Sequence, residues 1–267
     1  MDIRKLLVKP GSRVKLIDRR AADTQGYSKE QALLELEKRQ SRMAELQELL
    51  YASRKRALLI VLQAIDAGGK DGTIRHVMSG VNPQSCEVTS FKAPTAEELG
   101  HDFLWRIHKR VPIKGFFGIF NRSHYEDVLV VRVHDLVPKA VWSRRYDYIN
   151  GFERVLDDGG VTILKFFLHI SKGEQKKRFE ERLRDPQKMW KATLQDFEER
   201  KLWDKYMKAF EDAISKCSTE VAPWYVIPAD RKWFRNLAVS EVIVQALEAM
   251  DLKYPRPDFD PSKVVIK

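Results

Sequence analysis

A glycine-rich segment, Gln63–Thr73, carries the residue types that hold phosphate in proteins. Glycines let backbone N–H groups approach phosphate oxygens, and a lysine adds a positive charge. The segment follows an apolar run and opens a helical pattern, and the positive end of a helix dipole also favours an anion. We therefore predict a phosphate-binding loop. Its expected contact residues are Gly68, Gly69, Lys70, Asp71, Gly72 and Thr73.

This loop departs from the standard P-loop pattern at two places. Ala64 stands where the first glycine is expected, and Asp71 stands where a serine or threonine normally follows the lysine. The missing hydroxyl usually binds Mg²⁺, so another oxygen ligand has to replace it, and carboxylates are the suitable type. Asp66, in the same loop, is a candidate. The alternatives are an ordinary turn from strand to helix and, for Asp66, a side chain that stabilises that turn.

A second polar cluster, residues 121–127, follows a predicted strand. Ligands of open α/β sheets bind beyond the carboxyl ends of the strands. Arg122 suits bidentate phosphate binding, whereas Asn121, Glu126 and Asp127 offer oxygen atoms for a metal or a nucleotide. The alternative is a helix N-terminal turn capped by Ser123, with Glu126 in a capping box, and this alternative needs Asp127 least. His124 is interpreted as structural.

Two further places in the chain suggest phosphate or nucleotide contacts. Arg178 and Arg182 are four residues apart in a basic helical pattern, and so share one helix face. Such a face could close over phosphoryl groups as part of a lid, although a solvated helix with Glu–Arg pairs explains the same spacing. Lys92, which follows another strand, is a candidate nucleotide contact.

The elements that would position these residues alternate between strands and helices, which predicts an α/β fold with a parallel sheet flanked by helices. Ser28 is a candidate N-cap of a first helix that ends near Tyr51. The predicted strands are 57–62, 87–91, 116–120, 161–170 and 224–227. The other predicted helices are 96–110, 139–156, 174–184, 196–214 and 234–252. We divide the chain into an N-terminal extension (1–27), a central α/β domain (28–252) with a lid around 172–215, and a non-helical tail (253–267).

Composition restricts the class of protein. The 267 residues include 48 Lys and Arg against 38 Asp and Glu, for a net charge of +10, which favours anionic partners. The two cysteines, Cys86 and Cys217, lack metal-ligand spacing. Neither a signal peptide nor a membrane-length apolar run is evident, so we expect a cytoplasmic protein that does not enter a membrane.

Taken together and in this order, the clusters resemble the polyphosphate kinase 2 family. The matching stretches are Asp66–Gly72, Phe120–Asp127, Phe167–Ser171 and Pro223–Pro228, within a similarity that extends from residue 34 to residue 247. The resemblance implies a P-loop kinase fold with a helical lid, dependence on Mg²⁺, and phosphoryl transfer between polyphosphate and nucleotides. This sequence is similar to the branch of the family that phosphorylates both nucleoside monophosphates and diphosphates. Another branch of the family has an aspartate at the position of Asn121.

A catalytic hypothesis combines these residues. The expected catalytic groups are Asp66, Lys70, Arg122, Asp127, Arg178 and Arg182. Asp66 and Asp127 would hold Mg²⁺, while Lys92, Asn121, Arg122, Glu126 and Asp127 would face the nucleotide. Inorganic polyphosphate, AMP, ADP and ATP are the expected partners, and guanine nucleotides are possible substrates. We expect the protein to form a homo-oligomer and not to bind nucleic acid. Two alternatives stay open: an ATP-dependent nucleotide kinase of the same fold, and a basic nucleic-acid-binding module.

Overall fold

A five-stranded parallel sheet forms the centre of the molecule. The computed structural model describes residues 1–264. The strands lie in the order β2–β3–β1–β4–β5. Their bounds are β1 (Ala57–Gln63), β2 (Cys86–Ser90), β3 (Phe117–Asn121), β4 (Val161–His169) and β5 (Trp224–Pro228). Each predicted strand is confirmed to within one residue at either end, and so is the α/β fold with a parallel sheet.

Helices flank the sheet. Residues 1–264 form α1 (Lys29–Ser53), α2 (Lys70–Val77), α3 (Ala96–Leu99), α4 (Trp105–His108), α5 (Val130–Val133), α6 (Lys139–Trp142), α7 (Arg145–Asp158), α8 (Lys172–Arg184), α9 (Pro186–Met189), α10 (Leu194–Lys201), α11 (Trp203–Cys217) and α12 (Lys232–Glu248). Short 3₁₀ turns occupy Ile3–Lys5, Leu16–Asp18, Pro83–Ser85, His124–Asp127 and Pro261–Lys263. Among the described residues, no helix combines the length and apolar character needed to cross a bilayer.

Three predicted helices are each divided in two. Residues 96–110 form α3 and α4, residues 139–156 form α6 and α7, and residues 196–214 lie in α10 and α11. The predictions were wrong there because a break of one to a few residues barely changes the spacing of apolar side chains. The first helix is confirmed: Ser28 caps α1, and the Gln31 side chain returns the bond to the Ser28 N–H.

Burial explains why β1 could be read from the sequence. All seven of its residues are buried, since neighbouring strands cover both edges and helices cover both faces. The sheet edge at β5 is covered by the N-terminal segment. Leu7 bridges Tyr225 in antiparallel fashion, Val8 N–H donates to the Trp224 carbonyl at 2.8 Å, and Val226 N–H donates to the Leu6 carbonyl at 2.9 Å. The first residues of the chain therefore continue the sheet.

The end of the chain contains one short turn, Pro261–Lys263, within the segment predicted to be non-helical. The last three residues of that predicted tail, 265–267, lie outside the described residues.

Candidate functional site

The loop between β1 and α2 has the backbone geometry of a phosphate cradle. Ala67 and Gly69 have positive φ angles of 61° and 103°. A Cβ atom on Gly68 would lie 2.4 Å from Ala64 Cβ and 2.7 Å from the Ile65 carbonyl oxygen, so only glycine fits at that position. The Gly68 N–H closes the turn on the same Ile65 carbonyl at 2.9 Å.

The N–H groups at the start of α2 are available to a ligand. Within residues 1–264, the backbone N–H groups of Gly69, Lys70, Asp71 and Gly72 donate to no acceptor. An anion at the helix N-terminus would satisfy them and would also interact favourably with the helix dipole. Thr73 differs, because both its N–H and its hydroxyl donate to the Gly69 carbonyl, at 2.9 and 3.1 Å, and its side chain is buried. Thr73 therefore bonds within its own helix turn, and its predicted contact with phosphate stays a prediction.

Lys70 stands among acidic side chains. Its Nζ donates to the Ala64 carbonyl at 3.1 Å. Burial, followed by the nearby Arg122 guanidinium, lowers the pKa of Lys70, while Asp66 and Glu126 oppose that shift. The ammonium group of Lys70 is therefore buried, with both carboxylates and the Arg122 guanidinium close enough to act on its charge.

Two side-chain contacts join the end of β3 to the loop. Arg122 Nη2 donates to Asp66 Oδ1 at 3.1 Å, and Asn121 Nδ2 donates to Asp71 Oδ1 at 2.8 Å. Arg122 takes a left-handed backbone conformation, with φ of 62°, and its N–H donates to the Leu62 carbonyl. β1 and β3 are adjacent and parallel, so their carboxyl ends place these residues side by side.

The two acidic neighbours Glu126 and Asp127 point to different surroundings. Glu126 lines the same cavity as Asp66 and Arg122. Burial raises its pKa, although Arg122 and Lys70 lower it in part. Asp127 does not line that cavity. Arg145 Nη1 donates to Asp127 Oδ1 at 3.0 Å, and burial raises the pKa of Asp127 to about 6 despite this partner.

The predicted metal ligands Asp66 and Asp127 therefore do not line one cavity, and their binding of Mg²⁺ stays a prediction. In the described part of the chain, no group of three or more His, Cys, Asp or Glu side chains could hold a metal ion. Mg²⁺ commonly takes only one or two protein carboxylates and completes its shell with water and substrate phosphates. Asp66 and Glu126, which face one cavity beside Lys70, suit that ligand number.

The predicted lid corresponds to helices α8–α11, for which we keep that name, and α10 and α11 contribute to the wall of the cavity. Gln195, Glu199 and Tyr206 of α10 and α11 line the cavity of about 230 Å³ that also contains Asp66 and Glu126. Tyr206 donates its hydroxyl to Glu199 Oε2 at 2.7 Å. The cavity is therefore bounded by the phosphate loop, the end of β3 and the lid, and it is large enough for several phosphate-sized groups.

Comparison with known proteins agrees with this geometry. A profile of the family described as polyphosphate kinase 2 (PPK2) matches residues 26–255. The chain belongs to the polyphosphate kinase 2 family. A relative from Meiothermus ruber, named AMP/ADP-polyphosphate phosphotransferase, is 53% identical over 99% of this chain and 100% of its own length. The ADP-polyphosphate phosphotransferase of Rhodopseudomonas palustris is 50% identical over 80% of this chain and 78% of its own.

A solved structure supports the same assignment. The crystal structure of polyphosphate kinase 2 from Arthrobacter aurescens TC1 superposes with a TM-score of 0.93 at 46% sequence identity. The match covers 96% of this chain and 92% of that one. The predicted family and its P-loop kinase fold are thus confirmed.

In this polyphosphate kinase 2, the two lid arginines occupy different places. Arg178 is buried, with 6% of its surface exposed, and its guanidinium is fully engaged. Its acceptors are Glu174 Oε1 at 2.8 Å and the carbonyl oxygens of Ala67, Gly68 and Ala229 at 2.9, 3.1 and 2.6 Å. The N–H groups of Arg178 thus already bond to protein oxygens, and its predicted direct contact with phosphate stays a prediction. Arg182 lies 3.8 Å from Asp196 and is partly exposed, so its predicted role stays open.

Lys92 lies on the surface, and its carbonyl oxygen accepts a bond from Arg106 Nη1 at 2.9 Å. Its predicted contact with the nucleotide stays a prediction.

Sequence reasoning missed a buried polar network beneath the site. Lys165 Nζ donates to Tyr125 Oη at 2.8 Å, to Glu153 Oε2 at 2.6 Å and to the Cys217 carbonyl at 2.6 Å. His124 Nε2 lies 3.2 Å from Glu153 Oε1, so the histidine anchors the turn that carries Glu126 and Asp127. A signal was present, because a single lysine interrupts the apolar run of β4.

Proposed function

We propose that this polyphosphate kinase 2 transfers phosphoryl groups between inorganic polyphosphate and the adenine nucleotides AMP and ADP, with Mg²⁺ as the metal. One observation carries the proposal: the four N–H groups at the start of α2 have no acceptor within residues 1–264, and Asp66, in the same loop, lines a cavity together with Arg122 and Glu126. The names of the Meiothermus and Rhodopseudomonas relatives supply the donor and acceptor classes.

The chemistry needs charge neutralisation and alignment more than a strong base. The acceptor phosphate is already an anion, so it can attack without losing a proton to the protein. Lys70 and the α2 N–H groups would hold the oxygens of the transferred group, and Arg122 would hold a neighbouring phosphate. Preorganised charges of this kind stabilise the negative charge that spreads over the oxygens during transfer.

Mg²⁺ would be held by Asp66 and Glu126 together with phosphate oxygens. When bound, it would neutralise phosphate charge and orient the reacting groups. The lid would exclude water, which otherwise competes with the nucleotide for the phosphoryl group. We expect this reaction to take place in the cytoplasm, where nucleotides are available. It should also run in reverse, from ATP to polyphosphate. That the protein forms a homo-oligomer stays a prediction.

A comparison of donors tests the proposal. The purified protein is incubated with Mg²⁺ and either AMP or ADP, with polyphosphate or ATP as the donor, and nucleotides are separated by chromatography. Polyphosphate should convert AMP to ADP and ADP to ATP. Phosphorylation of AMP by ATP but not by polyphosphate would instead indicate an ATP-dependent nucleotide kinase and would overturn the proposal. A Lys70→Ala preparation serves as the control for contaminating kinases.

A further inference from the structure

Arg235, in the first turn of α12, lies against the phosphate loop. Only 2% of its surface is exposed. A Cβ atom on Gly69 would lie 2.0 Å from Arg235 Nη1, and one on Gly72 would lie 3.3 Å from Arg235 Nη2. The guanidinium therefore occupies the space that the side chains of these two residues would otherwise fill, next to the N-terminus of α2.

The charge of Arg235 has no anionic partner within residues 1–264. Its Nε and Nη2 both donate to Asn236 Oδ1, at 3.1 and 2.8 Å, and this amide oxygen carries no net charge. Burial and the neighbouring Arg178 lower the pKa of Arg235 to about 10, so the group is still a cation at neutral pH. Burying a charge without a counter-charge is unfavourable, and a second cation nearby adds to the cost.

One nitrogen of Arg235 is free to bind a ligand. Nη1 has no acceptor in the described part of the chain. It is also not completely enclosed by protein, so a ligand can reach it. It lies beside Gly69, whose own N–H is also without an acceptor. Donors on the side chain and on the backbone thus adjoin one another at the positive end of a helix.

We propose that Arg235 is a further phosphate-binding residue of this site, whose Nη1 donates to a phosphate group held at the N-terminus of α2. This inference rests on the proposed function, since the ligand is the polyphosphate or nucleotide phosphate bound there. A bound anion would supply the missing counter-charge and accept the free N–H. The competing explanation is that Arg235 only supports the loop mechanically, as Arg178 does through the carbonyl oxygens of Ala67 and Gly68.

Binding of inorganic tripolyphosphate separates the two explanations. Affinity is measured by titration calorimetry, and thermal unfolding is followed with and without the ligand, for wild type and Arg235→Met. A charge-assisted hydrogen bond in a desolvated site corresponds to about 10- to 100-fold in affinity, so Arg235→Met should bind tripolyphosphate that much more weakly. Its unfolding temperature without ligand should stay within a few degrees of wild type, because an unpaired buried cation is removed. Arg154→Met, on an exposed position of α7, is the matched control and should bind as wild type does.

The outcomes are distinct. Wild-type affinity in Arg235→Met together with a large loss of unfolding temperature would show a mechanical support and overturn the inference. If Arg235→Met does not fold, Arg235→Lys keeps the charge and should lose about 3- to 10-fold in affinity, and unchanged binding by that variant would equally overturn the inference. If wild type itself does not bind tripolyphosphate, both the phosphate site and the proposed function are overturned. If wild type binds it and the Arg235 variants bind it equally well, only the inference about Arg235 is overturned.

Discussion

Arg178 should contribute more to stability than to direct contact with substrate. Its guanidinium joins α8 to the phosphate loop through the carbonyl oxygens of Ala67 and Gly68, and to the end of β5 through the Ala229 carbonyl. In Arg178→Lys the positive charge remains, but an ammonium cannot reach all of these acceptors. Several buried oxygens would then be left without a donor.

The size of the effect follows from those contacts. Breaking a buried, hydrogen-bonded charge interaction typically costs about 3 to 5 kcal/mol, and an unsatisfied buried acceptor about 1 to 3 kcal/mol. Since the lysine can keep part of the network, we expect Arg178→Lys to lower the free energy of unfolding by about 3 kcal/mol. For a chain of this size, that corresponds to a fall of about 10 °C in melting temperature. Turnover should also fall, because the loop peptides lose the contact that orients them.

Arg182→Lys is the matched control for this prediction. It lies one turn further along α8, it is partly exposed, and its closest carboxylate contact, Asp196, is 3.8 Å away. Exposed ion pairs contribute about 0 to 1 kcal/mol, so its unfolding should change little. Urea unfolding of both variants gives the comparison. Equal unfolding midpoints for Arg178→Lys and Arg182→Lys would refute the proposed support of the loop by Arg178.

Three further predictions concern the site. Lys70→Ala should keep its fold and lose about 100-fold or more in turnover, as measured by nucleotide product formation, and near-normal turnover would exclude Lys70 from the phosphate site. Glu126→Gln should raise the Mg²⁺ concentration needed for half-maximal rate whereas Asp127→Asn should not, and a magnesium titration giving the reverse order would restore Asp127 as the ligand. The pKa of Asp127 in the folded protein is about 6, above its ordinary value of 3.8. As the pH falls from about 6 to about 4, the folded protein therefore binds a proton at Asp127 before the unfolded chain does, and the free energy of unfolding rises. The stability of wild type relative to Asp127→Asn should therefore increase as the pH falls from 7 to 5, by about 1.3 kcal/mol, and denaturation midpoints that differ equally at both pH values would contradict this assignment.

Local patterns were sufficient for the centre of the site. The apolar run of β1, the glycines after it and Lys70 are contiguous in sequence, and their function depends on backbone conformation within a few residues. The meeting of this loop with Arg122 also followed from the sequence, since parallel strands bring their carboxyl ends to one edge of the sheet.

The metal pair could not be read in the same way. Glu126 and Asp127 are adjacent, and a 3₁₀ turn sends one side chain into the cavity and the other toward Arg145. No periodicity in the sequence indicates which of the two residues faces inward, because the turn is shorter than one repeat of any pattern.

Long-range packing explains the remaining differences. Helical spacing correctly placed Arg178 and Arg182 along one side of α8, but only the contact with the phosphate loop, more than 100 residues earlier in the chain, buries the first of them. Arg235 lies still further along and was not recognised. Arginine is seldom buried, yet Arg235 is buried in α12. The sequence does show it as a charged residue close to an apolar stretch.

Labelled polyphosphate shows whether the protein transfers a phosphoryl group directly from polyphosphate to the nucleotide. Polyphosphate carrying ³²P is incubated with unlabelled AMP and Mg²⁺, and the nucleotides are separated and counted. We expect label to enter the β-phosphate of ADP and then the γ-phosphate of ATP with wild type, but not with Lys70→Ala. Nucleotide products without label, or equal labelling by Lys70→Ala, would contradict it.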